Sequence, residues 1–356
     1  MASIDYKREL KDLIDIVVSE KGSDLHLSVG THPMVRVAGS LIPLIKKPIL
    51  TDSDSDGFAR ALMSSKQFEE FTASHEMDFS YSHEGGIRFR GNGFIQRGST
   101  SIALRLIPSE IRNFEQLNLP PILESFAMRP QGFFLCVGPV GQGKTTTLAA
   151  MINLINETRS EHIVTIEDPI EYIFERKKSL VDQREVRVDT KDFESALNSV
   201  FRQDVDVIMV GEMRNKETIG IAVTAAETGH LVLSTLHTNN AAQTIDRIID
   251  SFPAGQQDQI RIQLSGSLAG IFSQRLIPRI SGGLIPAYEL LINNSAVANL
   301  IREKRTHEVQ TVIETGLEQG MIDMNRSLAE LVKRGEITVD NAFAYSINPK
   351  GLERLM

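Results

Sequence analysis

The stretch GPVGQGKT, Gly138 to Thr145, constrains the fold of this chain more than any other. It fits G-x-x-x-x-G-K-[ST] and stands between an apolar run, FFLCVG, and a helical period, TTTLAAMINLINETR. Strand, glycine turn and helix form the setting that this spacing requires. The glycines let the backbone curl so that its N–H groups converge on phosphate oxygens, and the helix behind adds its dipole. A fully apolar strand also needs neighbours on both sides. Downstream, HIVTIE, VDVIMVGE and HLVLSTLH read as buried strands, with DFESALNSVFRQ and KETIGIAVTAAETG as helices between them. This alternation predicts an α/β domain with a mainly parallel sheet covered by helices.

The 356 residues exceed one domain at about 150 residues each. Residues 4–21 read as an amphipathic helix that Gly22 stops. Alternating strands follow at 25–29, 34–39, 87–98 and 100–107, with helix expected over 51–73. Residues 1–110 are therefore expected to form a small α+β domain with an antiparallel sheet. Pro108, Pro120, Pro121 and Pro130 mark a linker over 111–130, the ATPase-type domain runs over 131–293, and 294–356 reads as a helical tail.

Composition excludes several classes. No run of about 18 apolar residues is present, so no membrane span is expected, and MASIDYKREL lacks the apolar centre of a secretory signal. One cysteine, Cys136, allows no disulfide framework within the chain and no multi-cysteine zinc site; inside FFLCVG it reads as a core residue. The expected compartment is the cytoplasm. A net charge of −8 and the lack of a basic–aromatic stripe weigh against a nucleic-acid motor.

The chemistry is expected where strands end. Gly138, Gly141, Gln142, Gly143, Lys144, Thr145 and Thr146 would cradle the phosphates of ATP, with Lys144 on the β- and γ-phosphates and Thr145 on Mg²⁺. HIVTIEDPIEY places Glu167 at a strand end, and VIMVGEMR places Glu212 at another, with Gly211 where an Asp usually stands. In an open parallel sheet those ends share one crevice. One carboxylate would polarise the attacking water and the other would orient the water shell of Mg²⁺, making Glu212 a metal candidate beside Thr145. His230 and His237 bracket a strand; seven positions apart they face opposite sides and are not expected to share a metal. His237 stands beside Thr235 and Thr238, where it could sense the γ-phosphate. Arg88, Arg90, Arg97 and Arg105 lie in strands of the first domain, where they are either a solvated edge or phosphate ligands, within one chain or from a neighbour.

Taken in order and spacing, GPVGQGKT, IEDPIEY, VIMVGEMR and ETGHLVLSTLHTNNA resemble the type IV pilus retraction ATPases, the PilT family. GSDLHLSVG, RFRGNGFIQRG, QREV, TIDRIID and NLIRE extend the likeness over nearly the whole chain. The resemblance implies a PAS-like N-terminal domain on a RecA-like P-loop ATPase domain, assembled as a homo-hexamer with nucleotide between the two domains. It makes Glu167 the acidic box, Glu212 the atypical Walker B acid with Gly211 as the family form, and His230 and His237 the histidine box. Of the first-domain arginines, Arg90, Arg97 and Arg105 are the candidate nucleotide contacts. It also implies an inner-membrane pilus platform protein as partner, a second retraction ATPase as a further candidate, and work at the pilus base, peripheral to the cytoplasmic membrane.

Some positions depart from that pattern. Val140, Gln142 and Thr146 differ in the phosphate loop, and AVANLIRE carries Val297 and Ala298 where the family has Ile and Arg. The alternatives are a PilU-like accessory subunit with weak turnover of its own, or a pilus-assembly or secretion ATPase. The latter usually carry an extra N-terminal domain and a four-cysteine insert.

Overall fold

The computed structural model describes residues 5–107 and 110–356, so Ile4 and Pro108 lie outside the described residues. The chain divides into two compact units, one up to Glu110 and one from Ile111 onward.

The first unit opens with helix α1 (Tyr6–Ser19), which Asp5 caps by accepting from the N–H groups of Lys7 and Arg8. Strands β1 (Asp24–Ser28), β2 (Met34–Val37) and β3 (Ser40–Pro43) follow, then helices α2 (Asp52–Leu62) and α3 (Ser65–Ser74). Strands β4 (Glu76–Ser82), β5 (Arg88–Gln96) and β6 (Ser99–Ile107) complete the unit. The sheet order is β3-β2-β1-β6-β5-β4, antiparallel throughout. Its core joins Leu10, Leu13, Ile14 and Val17 of α1 to Phe58 of α2 and to Leu25, Phe89 and Leu104 of the strands. The single helix expected over 51–73 is two helices. Met63 is extended and Ser64 starts a new capping box with Gln67, so the chain turns there.

The second unit begins with the stretch expected as a linker, and here the structure corrects the sequence reading. Helix α4 (Ile122–Ala127) and the turns before it bury Phe114, Leu119, Leu123, Phe126 and Ala127 in the core beneath Phe134 and Met151. Pro120, Pro121 and Pro130 flank the short helix of a packed element, because the apolar residues between them outweigh their breaking effect.

Beyond it run β7 (Gly132–Val137), α5 (Lys144–Thr158), β8 (His162–Glu167), β9 (Leu180–Glu185), α6 (Phe193–Val200), β10 (Val207–Val210), α7 (Lys216–Glu227) and β11 (Leu231–Leu236). Helices α8 (Ala241–Asp250) and α9 (Ala254–Ser267) lead to β12 (Leu268–Pro278) and β13 (Leu284–Ile292). The sheet order is β13-β12-β7-β11-β10-β8-β9, parallel except for the β12–β13 hairpin. Strands β7, β10 and β11 are buried at every position, which explains why they read as unbroken apolar runs.

The tail holds α10 (Ser295–Arg302), α11 (Val309–Thr315), α12 (Met324–Lys333), α13 (Val339–Tyr345) and α14 (Pro349–Glu353). Val297, Leu300 and Ile301 of α10 and Ile313 of α11 pack into the core of the sheet. Helices α12 to α14 close over the far ends of β12 and β13, with Leu328, Leu331 and Leu352 against Ile277, Ile285 and Ala287. The helical tail is thus packed into the same compact unit as the sheet.

Candidate active site

The site forms where β7, β8, β10 and β11 end. Gly138 leaves β7 with φ of 146°, and a Cβ there would stand 2.4 Å from the carbonyl oxygen of Gln274 on β12. Only glycine fits both the dihedral and the space. Gly143 has φ of 77° and forms the N-cap of α5, so no side chain occupies the first N–H groups of that helix. They remain available for an anion.

Lys144 is 7% exposed. Its ammonium donates to the carbonyls of Gly138 and Pro139, each at 2.8 Å, and lies 3.3 Å from His237 Nδ1. Burial lowers its pKa. The other ring nitrogen of His237 stands 3.7 Å from Glu212 Oε2, and Arg214 Nη2 holds Glu212 Oε1 at 2.5 Å. One imidazole thus links the phosphate-loop lysine to the carboxylate after β10.

Gly211, at the usual Asp place, sits close against the end of β8. Its N–H donates to Ile166 O at 2.8 Å, and a Cβ would sit 3.3 Å from that oxygen and 3.5 Å from Glu167 Cα. The tips of β8 and β10 lie in close contact there, so a side chain would need the β8 backbone to give by a few tenths of an ångström, and Glu167 and Glu212 stand at the ends of these two adjacent strands.

Glu167 is 3% exposed. It accepts from Thr165 Oγ1 at 2.7 Å, from Gln183 Nε2 at 3.2 Å and from the Glu171 N–H at 3.3 Å. Burial raises its pKa to about 7, against the pull of those donors. A carboxylate poised there is suited to exchange protons at neutral pH.

Several groups here escaped the sequence reading. Gln274, 2% exposed on β12, donates to Gln142 O at 2.8 Å and accepts from Thr147 Oγ1 at 2.7 Å. Gln142 Oε1 accepts from Leu276 N at 2.7 Å, so this departure from the family loop serves as a brace. Thr146 Oγ1 lies 2.9 Å from the Tyr172 hydroxyl. A lone Gln within the apolar run LAGIFSQRLIP was the available signal for Gln274, because a buried amide needs partners. Thr145 occupies the second position of α5 and is half-buried.

Not every expected residue joins this cluster. His230 precedes β11 while His237 follows it, so the strand separates them by about 20 Å. His230 Nδ1 bonds the Ala225 carbonyl at 3.0 Å and its ring stands edge-on to Phe201. In this chain it anchors the end of α7, away from the phosphate loop. In the first unit Arg90 and Arg105 are direct cross-strand partners, and Arg105 donates to Asp24 Oδ1 at 2.9 Å. Arg97 occupies the β5–β6 turn with φ of 49°, at the other end of the hairpin from that pair. One phosphate therefore cannot take all three arginines from a single chain.

A family model described as type II/IV secretion system protein matches residues 8–284. The type IV pilus retraction ATPase PilT of Pseudomonas aeruginosa is 44% identical over 94% of this chain and 97% of its own length. The chain belongs to the PilT family. The type IV pilus ATPase PilU of the same organism is 40% identical over 98% of this chain and 91% of its own. A crystal structure of the pilus retraction motor PilT with bound ADP superposes with a TM-score of 0.90 at 47% identity, covering 99% of this chain and 100% of the other. The fold is thus that of a nucleotide-binding ATPase family. Among the described residues no helix is long and apolar enough to cross a membrane.

Proposed function

We propose that this chain is an ATP-hydrolysing motor that powers type IV pilus retraction. The observation that carries the reading is the meeting of Lys144, His237 and Glu212 through one imidazole, with Glu167 beside Gly211. Lys144 and the open N-terminus of α5 take the β- and γ-phosphates. A cavity of about 340 Å³ adjoins Gly143, Thr146 and Thr147 and is lined on its other side by Leu117, Leu119 and Leu276. It has the size for the base of the nucleotide, with Arg112, Gln116 and Asn118 as polar groups among its apolar walls. Glu167 accepts the proton of the attacking water, and Glu212 would orient the water shell of Mg²⁺.

Among the described residues no group of three or more His, Cys, Asp or Glu is placed to hold a metal alone. Mg²⁺ takes few protein ligands beside phosphate oxygens and water. Thr145 and Glu212 would hold it, and when bound it neutralises charge on the transferring phosphate.

The motor reading includes a homo-hexamer in which arginines of the first unit, Arg90 and Arg105 as one pair and Arg97 apart from them, complete a neighbour's site. It includes rotation of the PAS-like domain, 1–110, against the ATPase domain. It also includes docking at the pilus base, on the cytoplasmic side, to an inner-membrane platform protein and to a second retraction ATPase. The identity to PilU and the replaced Val297 and Ala298 keep a second reading open, an accessory subunit of low turnover. Steady-state phosphate release from the purified chain tests both. Robust turnover that Glu212→Ala abolishes while ATP still binds supports the motor; unchanged turnover in Glu212→Ala overturns the site assignment. Lys144→Ala is expected to weaken ATP binding itself.

A further inference from the structure

We propose that Gln183 is a positioning residue for Glu167, clasping the carboxylate and the turn that follows it into one unit tied to the phosphate loop. The proposal rests on the hydrolysis reading above. Gln183 lies on β9, the edge strand of the sheet. Its Nε2 donates to Glu167 Oε1 at 3.2 Å and to the Tyr172 carbonyl at 2.8 Å, and its Oε1 accepts from Phe174 N at 2.9 Å. Both N–H groups and the oxygen are thus used. The orientation of the amide is fixed by chemistry, because a backbone N–H can only donate and a carbonyl can only accept. A flipped amide would lose all three bonds. Asn would fall one methylene short.

The clasp joins two sides of the site. Glu167 is held by Thr165 on its own strand, by the Glu171 N–H in the turn, and by Gln183 across the sheet. Tyr172, whose carbonyl Gln183 holds, places its hydroxyl on Thr146, two residues after Lys144. A shift of α5 on phosphate binding therefore pulls on the turn that follows Glu167. Glu171 in the turn is the charged group that acts on Glu167, and Glu185 stands opposite it on β9; the other charged groups of the adjoining elements are Asp168 with Arg187 in the turn, Glu212 with Arg214 after β10, and Lys144 at the head of α5. None of these provides the donor that Gln183 provides.

Donation to a buried carboxylate favours its ionised form, so removal of the amide raises the pH at which Glu167 becomes a base. In Gln183→Leu the acid limb of the kcat–pH profile is expected to move up by about half to one pH unit, with kcat at pH 7 falling roughly two- to fivefold. Binding of a fluorescent ATP analogue is expected to change less than about twofold, because Lys144 and the loop amides are untouched. Gln183→Glu has the same shape and keeps the Phe174 bond, but loses the donors while ionised. Its acid limb is expected to move up further, and it carries the test if Gln183→Leu does not fold. An acid limb unchanged in a folded Gln183 variant, with Glu167→Gln inactive, overturns the proposal and leaves the hydrolysis reading standing. Normal turnover by Glu167→Gln overturns that reading instead.

Discussion

Glu212 and His237 face each other at 3.7 Å across the ends of two adjacent parallel strands, and the other edge of the same ring meets Lys144 at 3.3 Å. A side chain 25 residues downstream of the acid thereby reports on the group that grips phosphate. If that relay matters, His237→Ala should lower kcat by about 10²-fold or more, a size common for a positioned acid–base group. Steady-state phosphate release checks it. Loss confined to KM would mean that His237 only assists binding.

The rate should depend on pH through Glu167. Its folded pKa is raised to about 7 by burial, and the base must be ionised to take a proton. Turnover is therefore expected to rise with pH through about 7 and to level off above it. A kcat–pH profile measures this, and a flat profile between pH 6 and 8 would remove Glu167 from the proton path.

Gln274 bears on binding more than on chemistry. Gln274→Leu deprives Thr147 Oγ1 and Gln142 O of their partners behind the phosphate loop. Stability should fall by about 1–3 kcal/mol, the cost of buried groups left unpaired. ATP affinity should weaken by roughly five- to tenfold, since a 1.4 kcal/mol loss is tenfold. Thermal melts and nucleotide titrations report the two effects separately.

Glu289 offers a test far from turnover. It is 1% exposed, accepts from the first N–H of α8 at 2.8 Å, and its Oε2 has no hydrogen-bond partner among the described residues. Burial raises its pKa to about 7. A carboxylate raised in the folded state adds no penalty below its unfolded pKa, and a penalty that grows as pH climbs to the folded value. Glu289→Gln should therefore raise the melting temperature at pH 8, by about 3 kcal/mol of stability, and by much less at pH 5. An equal effect at both pH values would contradict this account.

The parts of the site legible in the sequence are those whose chemistry is local. The phosphate loop declares itself in eight consecutive residues, and Glu167 and Glu212 each end an apolar run that could only be a buried strand. Convergence then follows from parallel topology. What stayed hidden depends on contacts between distant segments. Gln274 meets Gln142 across 132 positions, and no pattern around either residue points to the other. Gln183 and Tyr172 lay within stretches marked by resemblance, yet their roles needed the turn after Glu167 to fold back on β9. The break between α2 and α3 was readable from Ser64 and Gln67 as a capping box, and the apolar periodicity around it obscured the signal. Residues 111–130 misled because prolines were weighed above the Phe and Leu side chains between them.

The close seat of Gly211 also couples two strand ends. An added Cβ would stand 3.3 Å from the Ile166 carbonyl oxygen, and Ile166 is the residue before Glu167 on β8. Any side chain placed at 211 would thus be felt at the carboxylate of the adjacent strand.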